Sequence, residues 1–267
     1  MYKDCTTLHE NGMMNQHAKI KRPLAWVTGA SSGIGAALAT QLADAGWHVV
    51  ASARTLEALD RLAATHPSIT PLPLDVTDLE AVRSAVAQIH HQHGDIDAAV
   101  LNAGDYKPMA LADFDVTLFE HLMRVNFMGV VHGLDALREP MCQRGSGQIL
   151  ITASVAGYRG LPLAAAYGAT KAALINMAEA LQPEFKASGV HLRVVNPGFV
   201  RTPLTDLNDF AMPGMIEPHE AAQAILRDLH KTNFEISFPT GFVFVMKRLR
   251  NLPYALFFPL IRWITKK

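Results

Sequence analysis

Residues 23–45 read PLAWVTGASSGIGAALATQLADA. An apolar run turns at glycine, passes two serines and opens into an Ala/Leu-rich stretch that Gly46 stops. This order predicts a strand, a tight turn and a helix. Within the turn, Gly29, Gly33 and Gly35 stand as G-x3-G-x-G. Missing side chains let the backbone turn sharply and approach a pyrophosphate, and the following helix offers free N–H groups and the positive end of its dipole. Gly29, Ser31, Ser32, Gly33, Ile34 and Gly35 are therefore candidate cofactor contacts. The alternative is a small-residue turn that only packs helix on strand, and the strand and helix on either side favour the first reading.

Outward from this stretch, Trp47–Ala53, Ile69–Leu74, Ile96–Leu101, Gln148–Ala153, His191–Val195 and Phe234–Phe238 read as further strands. Pro71 and Pro73 weaken the second of these. Residues 78–91, 115–143, 163–187 and 217–230 carry helical periodicity. Strands alternating with helices predict an α/β chain with one doubly wound parallel sheet and helices on both faces. The expected organisation is a loose N-terminal extension over 1–22, a catalytic dinucleotide-binding unit over 23–240 and a basic, apolar tail over 241–267. The extension is polar and has no secretory apolar region, and Met13 and Met14 offer alternative starts.

Composition narrows the function classes. With 49% hydrophobic and 18% charged residues, the 267-residue chain is not intrinsically disordered. Lys+Arg and Asp+Glu balance at 24 each, so no basic field argues for nucleic acid. Cys5 and Cys142 are far apart, which disfavours a disulfide framework or a cysteine zinc site. His90, His91 and His93 cluster at a helix end without further ligands, so no metal is expected.

Further signals fall at the carboxyl ends of predicted strands, the edge where open α/β sheets bind ligands. Asp75 could accept a hydrogen bond from an adenine amino group. Asn102, Ala103 and Gly104 keep a cleft open, and Pro197-Gly198 ends a later strand. Tyr167 and Lys171 sit at i and i+4, which brings phenol and ammonium to one helix face. A cation there would lower the phenol's pKa from about 10. Ser154, thirteen residues upstream of Tyr167, closes a strand and could meet the phenol over a substrate oxygen.

The set TGASSGIG, NAG, Ser154…Tyr167-x3-Lys171 and NPG resembles the short-chain dehydrogenase/reductase superfamily over roughly residues 23–238. The resemblance implies a Rossmann-like fold. It also implies that Ser154 holds the substrate oxygen and that Tyr167 is the general acid/base. Lys171 would lower the tyrosine's pKa and bind nicotinamide ribose, and Asn126, in RVNFMG, would complete a tetrad through a water relay. Tyr167, Lys171, Val200 and Thr202 would contact the cofactor. The expected activity interconverts a carbonyl and an alcohol. The alternatives are a 3-oxoacyl-thioester reductase and a non-catalytic dinucleotide sensor, against which the intact tetrad argues.

Cofactor choice follows from charge. NAD-preferring folds place an acid at the end of the second strand. Here Ala53 and Arg54 stand there, with no acid until Glu57, and an arginine would pair with a 2′-phosphate. NADP(H) is the expected cofactor.

Residues 203–217 read as a lid whose Leu204, Leu207, Phe210, Met212, Met215 and Ile216 predict a lipophilic small substrate. Met109, Met123 and Met128 read as core filling. The resemblance implies pairing into a homodimer or larger homo-oligomer through the long helices over 115–143 and 163–187, which carry apolar residues such as Leu174, Ile175, Met177 and Leu181 on more than one face. The tail holds six basic and no acidic residues, which leaves 18 basic against 24 acidic, a formal −6, before it. Its eleven uncharged residues, 251–261, are too few to span a bilayer, which needs about 20, and Pro253 and Pro259 interrupt any long helix. The tail therefore either packs on the protein or lies at a membrane surface through Phe244, Leu256, Phe257, Phe258 and Trp263. The expected location is cytoplasmic, with peripheral membrane contact as the sharper alternative.

Overall fold

The computed structural model describes residues 22–265, so the extension expected over 1–22 lies, apart from Arg22, outside the described residues. The order is β1 (Leu24–Thr28), α1 (Gly33–Asp44), β2 (His48–Ala53), α2 (Leu56–Ala63), β3 (Ile69–Pro73), α3 (Leu79–His93) and β4 (Ala98–Leu101). It continues with α4 (Val116–Leu122), a π-helical turn (Met123–Met128), α5 (Gly129–Arg144), β5 (Gln148–Thr152), α6 (Ala165–Ala187) and β6 (His191–Pro197). Then follow α7 (Pro218–Asp228), β7 (Glu235–Phe238), α8 (Thr240–Arg250) and α9 (Tyr254–Thr265).

The seven strands form one parallel sheet in the order β3-β2-β1-β4-β5-β6-β7. β1 and β4 are covered on both faces, which explains their unbroken apolar sequences. Trp26 is fully buried, and its indole N–H donates to Ser52 Oγ at 3.0 Å, so no polar atom is stranded. One core lies between the sheet and α3, α5 and α6, and the other lies between the sheet and α1, α2 and α7. The chain reverses direction across the sheet between β1 and β4, which opens a crevice at their carboxyl ends.

Pro71 and Pro73 are accommodated because β3 is an edge strand, where a missing N–H costs little. Asp78 caps α3 by accepting from the Ala81 N–H at 3.0 Å. The eight-residue α2 is absent from the sequence reading although Leu56, Leu59 and Leu62 recur at helical spacing, because two turns are too short to stand out.

Four expectations are corrected. Leu174 and Ile175 face the protein's own core and not a partner. Met109 is buried, but Met123 and Met128 are more than a third exposed, since they flank the π-helical turn on its outer side. Ile216, expected to line the lid, is bridged to Val200 and packs against the second core. In the tail, Pro253 separates two helices whereas Pro259 lies inside α9, and Phe257 is buried against Arg159. Among the described residues, no helix is long and apolar enough to cross a membrane.

Candidate active site

The β1–β4 crevice is built from contacts that only glycine permits. Gly29 has φ +66°, and a Cβ there would lie 2.7 Å from Ala103 Cα. A Cβ on Gly35 would lie 2.3 Å from the Gly29 carbonyl oxygen, so the turn closes on itself without room for a methyl group. Asn102 braces this turn from β4: its backbone N–H donates to Thr28 Oγ1 at 2.9 Å, and its side-chain amide reaches the carbonyls of Thr28 and Gly29. Thr202 closes the other side, where a Cβ on Gly33 would meet its methyl group at 2.9 Å. Ser31 and Ser32 are exposed at the rim, and Ile34 packs into the second core. Among the described residues no side chain caps α1 and no acid lies in its first turn. Its leading N–H groups are thus available to an anion.

The tetrad lies at the ends of β4 and β5. Ser154 begins the short turn after β5, accepting from the Ala156 N–H at 3.1 Å and donating to the Pro197 carbonyl at 3.4 Å. This contact ties the serine to the end of β6, where Pro197 is buried and Gly198 donates its N–H to Phe238 O. Tyr167, on the first turn of α6, meets the Ser154 hydroxyl, which favours the phenolate. Burial outweighs that contact and pushes the phenol up to about 12.

The phenol thus stands above its ordinary value of about 10, where the sequence reading expected a lowered one. Lys171 is 3% exposed and its ammonium donates to the Thr152 carbonyl at 2.8 Å. It lies 5.6 Å from the centre of the Tyr167 ring. Burial pushes the lysine itself down to about 8.

Asn126 is fully buried within the π-helical turn, a distortion that often marks functional sites. Its Oδ1 accepts from the Asp105 N–H at 2.7 Å, and its amide donates to Asp105 O and Thr170 Oγ1. Gly104 links these parts: a Cβ there would lie 3.3 Å from Asn126 Oδ1 and 3.7 Å from Lys171 Nζ.

Two sequence candidates sit farther out. Arg54 is exposed just past β2, and its charge helps hold the Asp75 carboxyl below its usual range, after the larger effect of the Thr77 backbone N–H. Asp75 Oδ1 also accepts from the Thr77 hydroxyl, so one of its oxygens is already committed. Both residues border an open cleft of about 530 Å³ along α3, which none of Asn126, Ser154, Tyr167 and Lys171 lines.

The structure adds residues that the sequence reading missed. Tyr106 packs edge-on against Tyr167, with ring centres 4.9 Å apart, and its hydroxyl donates to Asn208 Oδ1 at 2.6 Å. It connects Tyr167 to the 203–215 loop, where Phe210 packs on Phe199 and Leu207 is exposed. Asp105 holds Asn126 through its backbone and His121 through its carboxylate at 2.8 Å. Their place directly after Asn102-Ala103-Gly104 was the available signal. The partner at Asn208, 102 residues away, left none.

Residues 23–210 match the short chain dehydrogenase family. An uncharacterized oxidoreductase of Myxococcus xanthus is 32% identical over 244 residues, covering 90% of this chain and 96% of the relative. One from Staphylococcus epidermidis is 32% identical over 210 residues, 78% of this chain and 91% of the relative. Among solved structures, a short-chain dehydrogenase from Streptomyces avermitilis superposes with TM-score 0.77 at 30% identity, covering 85% of this chain and 91% of its own. An alcohol dehydrogenase from Thermococcus sibiricus, complexed with 5-hydroxy-NADP, gives 0.75 at 27%, covering 81% and 96%. With its glycine turn, its Ser154/Tyr167/Lys171 arrangement and these relatives, the chain belongs to the short-chain dehydrogenase family of oxidoreductases.

Proposed function

We propose that this oxidoreductase uses NADP(H) to interconvert a carbonyl and an alcohol on a lipophilic small substrate, with Tyr167 as general acid/base. The observation that carries the reading is the Ser154 hydroxyl against the Tyr167 phenol, with Lys171 buried one helical turn away. The uncapped start of α1 and the glycine cradle suit a dinucleotide. Gly29, Ser31, Ser32, Gly33, Ile34 and Gly35 would hold its phosphates. Asp75, Asn102, Ala103 and Gly104 would flank it, and Pro197, Gly198, Val200 and Thr202 would line the nicotinamide end. Arg54 favours the 2′-phosphate, because its exposed guanidinium stands where an acid would repel that group. When bound, the dinucleotide supplies a hydride to the carbonyl carbon or accepts one in reverse.

The remaining chemistry belongs to the chain. Ser154 Oγ and Tyr167 Oη bind the carbonyl oxygen. A phenol held near 12 stays protonated at neutral pH and is ready to donate as negative charge develops on that oxygen. The Lys171 ammonium offsets the phenolate left behind, and Asn126 fixes the loop through which the proton is replaced. Apolar Leu204, Leu207, Phe210, Met212 and Met215 on the neighbouring loop suit a lipophilic substrate. We assign this catalysis to residues 23–240, with the 241–267 tail, which holds most of α8 and all of α9, as an appendage. We further propose a homodimer or larger assembly through the face formed by α4, the segment before it and the π-helical turn, where Leu111, Phe114, Val116, Met123 and Met128 are exposed. Light scattering at micromolar concentration should give at least a dimer mass, and a monomer would refute this part.

A screen of NADPH oxidation across ketones, aldehydes and acyl thioesters tests the reading. Turnover of lipophilic ketones or aldehydes supports it. Turnover of acyl thioesters alone would move the assignment to that class, and NADPH binding without any turnover would favour a sensor.

A further inference from the structure

The two C-terminal helices present a surface that catalysis does not use. α8 seats Val243 and Met246 in the first core, whereas α9 buries only Phe257 fully. Arg159, in the loop between Ser154 and Tyr167, anchors α9. Its guanidinium lies 4.3 Å from the ring centre of Tyr254 and 4.4 Å from that of Phe257, and it donates to Arg250 O at 3.0 Å. The outward side of α9 is apolar as well: Leu256, Phe258 and Trp263 are 59%, 55% and 76% exposed. Phe244 and Val245 of α8 extend the same character. A helix that is apolar both toward its core and away from it calls for a second apolar medium.

Charge selects that medium. Lys247 pairs with Glu235, and Arg250 lies 3.8 Å from Glu179. Arg248 instead lies over the Phe244 ring at 4.8 Å, and Arg262 stands exposed on α9. Among the described residues neither has a carboxylate within ion-pair distance. No acid occurs from Gly241 onward, while the preceding 240 residues carry a formal −6. In a two-fold pairing through this face both copies would present Arg248 and Arg262, with no acid of the tail to meet them, a like-charge juxtaposition that disfavours pairing. An anionic bilayer complements both the cations and the apolar side chains. With 12 residues, α9 is roughly 18 Å long against a hydrocarbon core of about 30 Å, so it can lie in the interface but not cross it.

We propose that the outward face of α9, with Phe244 and Arg248 of α8, docks in the headgroup region of an anionic lipid bilayer. The Arg159 anchor attaches this face to the loop joining Ser154 and Tyr167, which suits a substrate drawn from lipid. That corollary rests on the proposed reductase function, whereas the docking does not.

The test is co-sedimentation of the full chain with vesicles of phosphatidylcholine alone or mixed with phosphatidylglycerol, at low and high salt. Docking predicts binding to the mixed vesicles that weakens with salt. Arg248→Glu with Arg262→Glu should weaken it about 30-fold or more, at roughly fivefold per cation removed. Phe258→Ser with Trp263→Ser should also weaken it at least tenfold while leaving circular dichroism unchanged, since both side chains are exposed. No binding by the folded full chain, or equal binding to uncharged vesicles, overturns the proposal. So does a fall in light-scattering mass of the Phe258/Trp263 variant without any loss of lipid binding, which would assign the face to a second copy.

Discussion

Replacing Lys171 by methionine is expected to stabilise the ligand-free protein while removing its activity. Lys171 is 3% exposed, and burial brings its pKa from 10.5 to about 8. At roughly 1.4 kcal/mol per unit, holding the ammonium there costs about 3 kcal/mol at neutral pH. Between pH about 8 and 10.5 the unfolded chain binds a proton that the folded one has released, so stability rises with pH across that window. Tyr167 acts in the opposite sense, but only above about 10, because its phenol is raised to about 12 and folding protects the neutral form. Urea unfolding at fixed protein concentration should therefore show the natural chain gaining about 2 kcal/mol from pH about 7 to 9.5. Lys171→Met keeps most of the stem and forfeits the charge-assisted hydrogen bond to the Thr152 carbonyl, worth about 1.5–3 kcal/mol. It should be more stable than the natural chain by up to about 1.5 kcal/mol at pH about 7, with a flatter pH response. A flat profile in the natural chain, or a less stable methionine variant, would refute a lysine kept charged at a stability cost for function.

The remaining predictions concern the cofactor site. Arg54→Ala should raise the KM for NADPH tenfold or more, since a charge-assisted bond to phosphate is worth about 1.5–3 kcal/mol, and leave NADH use unchanged. Equal use of both cofactors by the natural chain would contradict the role of Arg54. Gly35→Ala places a methyl group 2.3 Å from the Gly29 carbonyl, so the turn must shift. NADPH binding should be lost and stability should fall by about 1–3 kcal/mol, lowering Tm by several degrees. Unchanged melting and binding would show that the turn has slack the structure denies.

Much of this architecture is legible in the sequence because its signals are local. Apolar runs such as Leu24–Thr28 are buried on both faces, and Gly29 and Gly35 stand where no other residue fits. Tyr167 and Lys171 are brought together by helix geometry alone. Legibility fails where a feature depends on distant contacts. The π-helical turn at Asn126 is fixed by Asp105 and Thr170 and leaves no periodic trace. Tyr106 finds Asn208, and Arg159 finds Tyr254 and Phe257, across long stretches of chain. Spacing reveals a lysine near Tyr167 but not the burial that raises its phenol. Pro71 and Pro73 likewise look disruptive until β3 is seen to be an edge strand.

The central claim is that Tyr167 delivers the proton that accompanies hydride transfer. Its most direct test is single-turnover NADPH oxidation by Tyr167→Phe, with the best carbonyl substrate from the screen, alongside the NADPH Kd of the same variant. Removing only the phenolic oxygen should slow turnover by about 10²–10⁴-fold, the usual contribution of a general acid, and leave the Kd within about twofold. A phenylalanine variant that retains most of the natural rate would contradict the account.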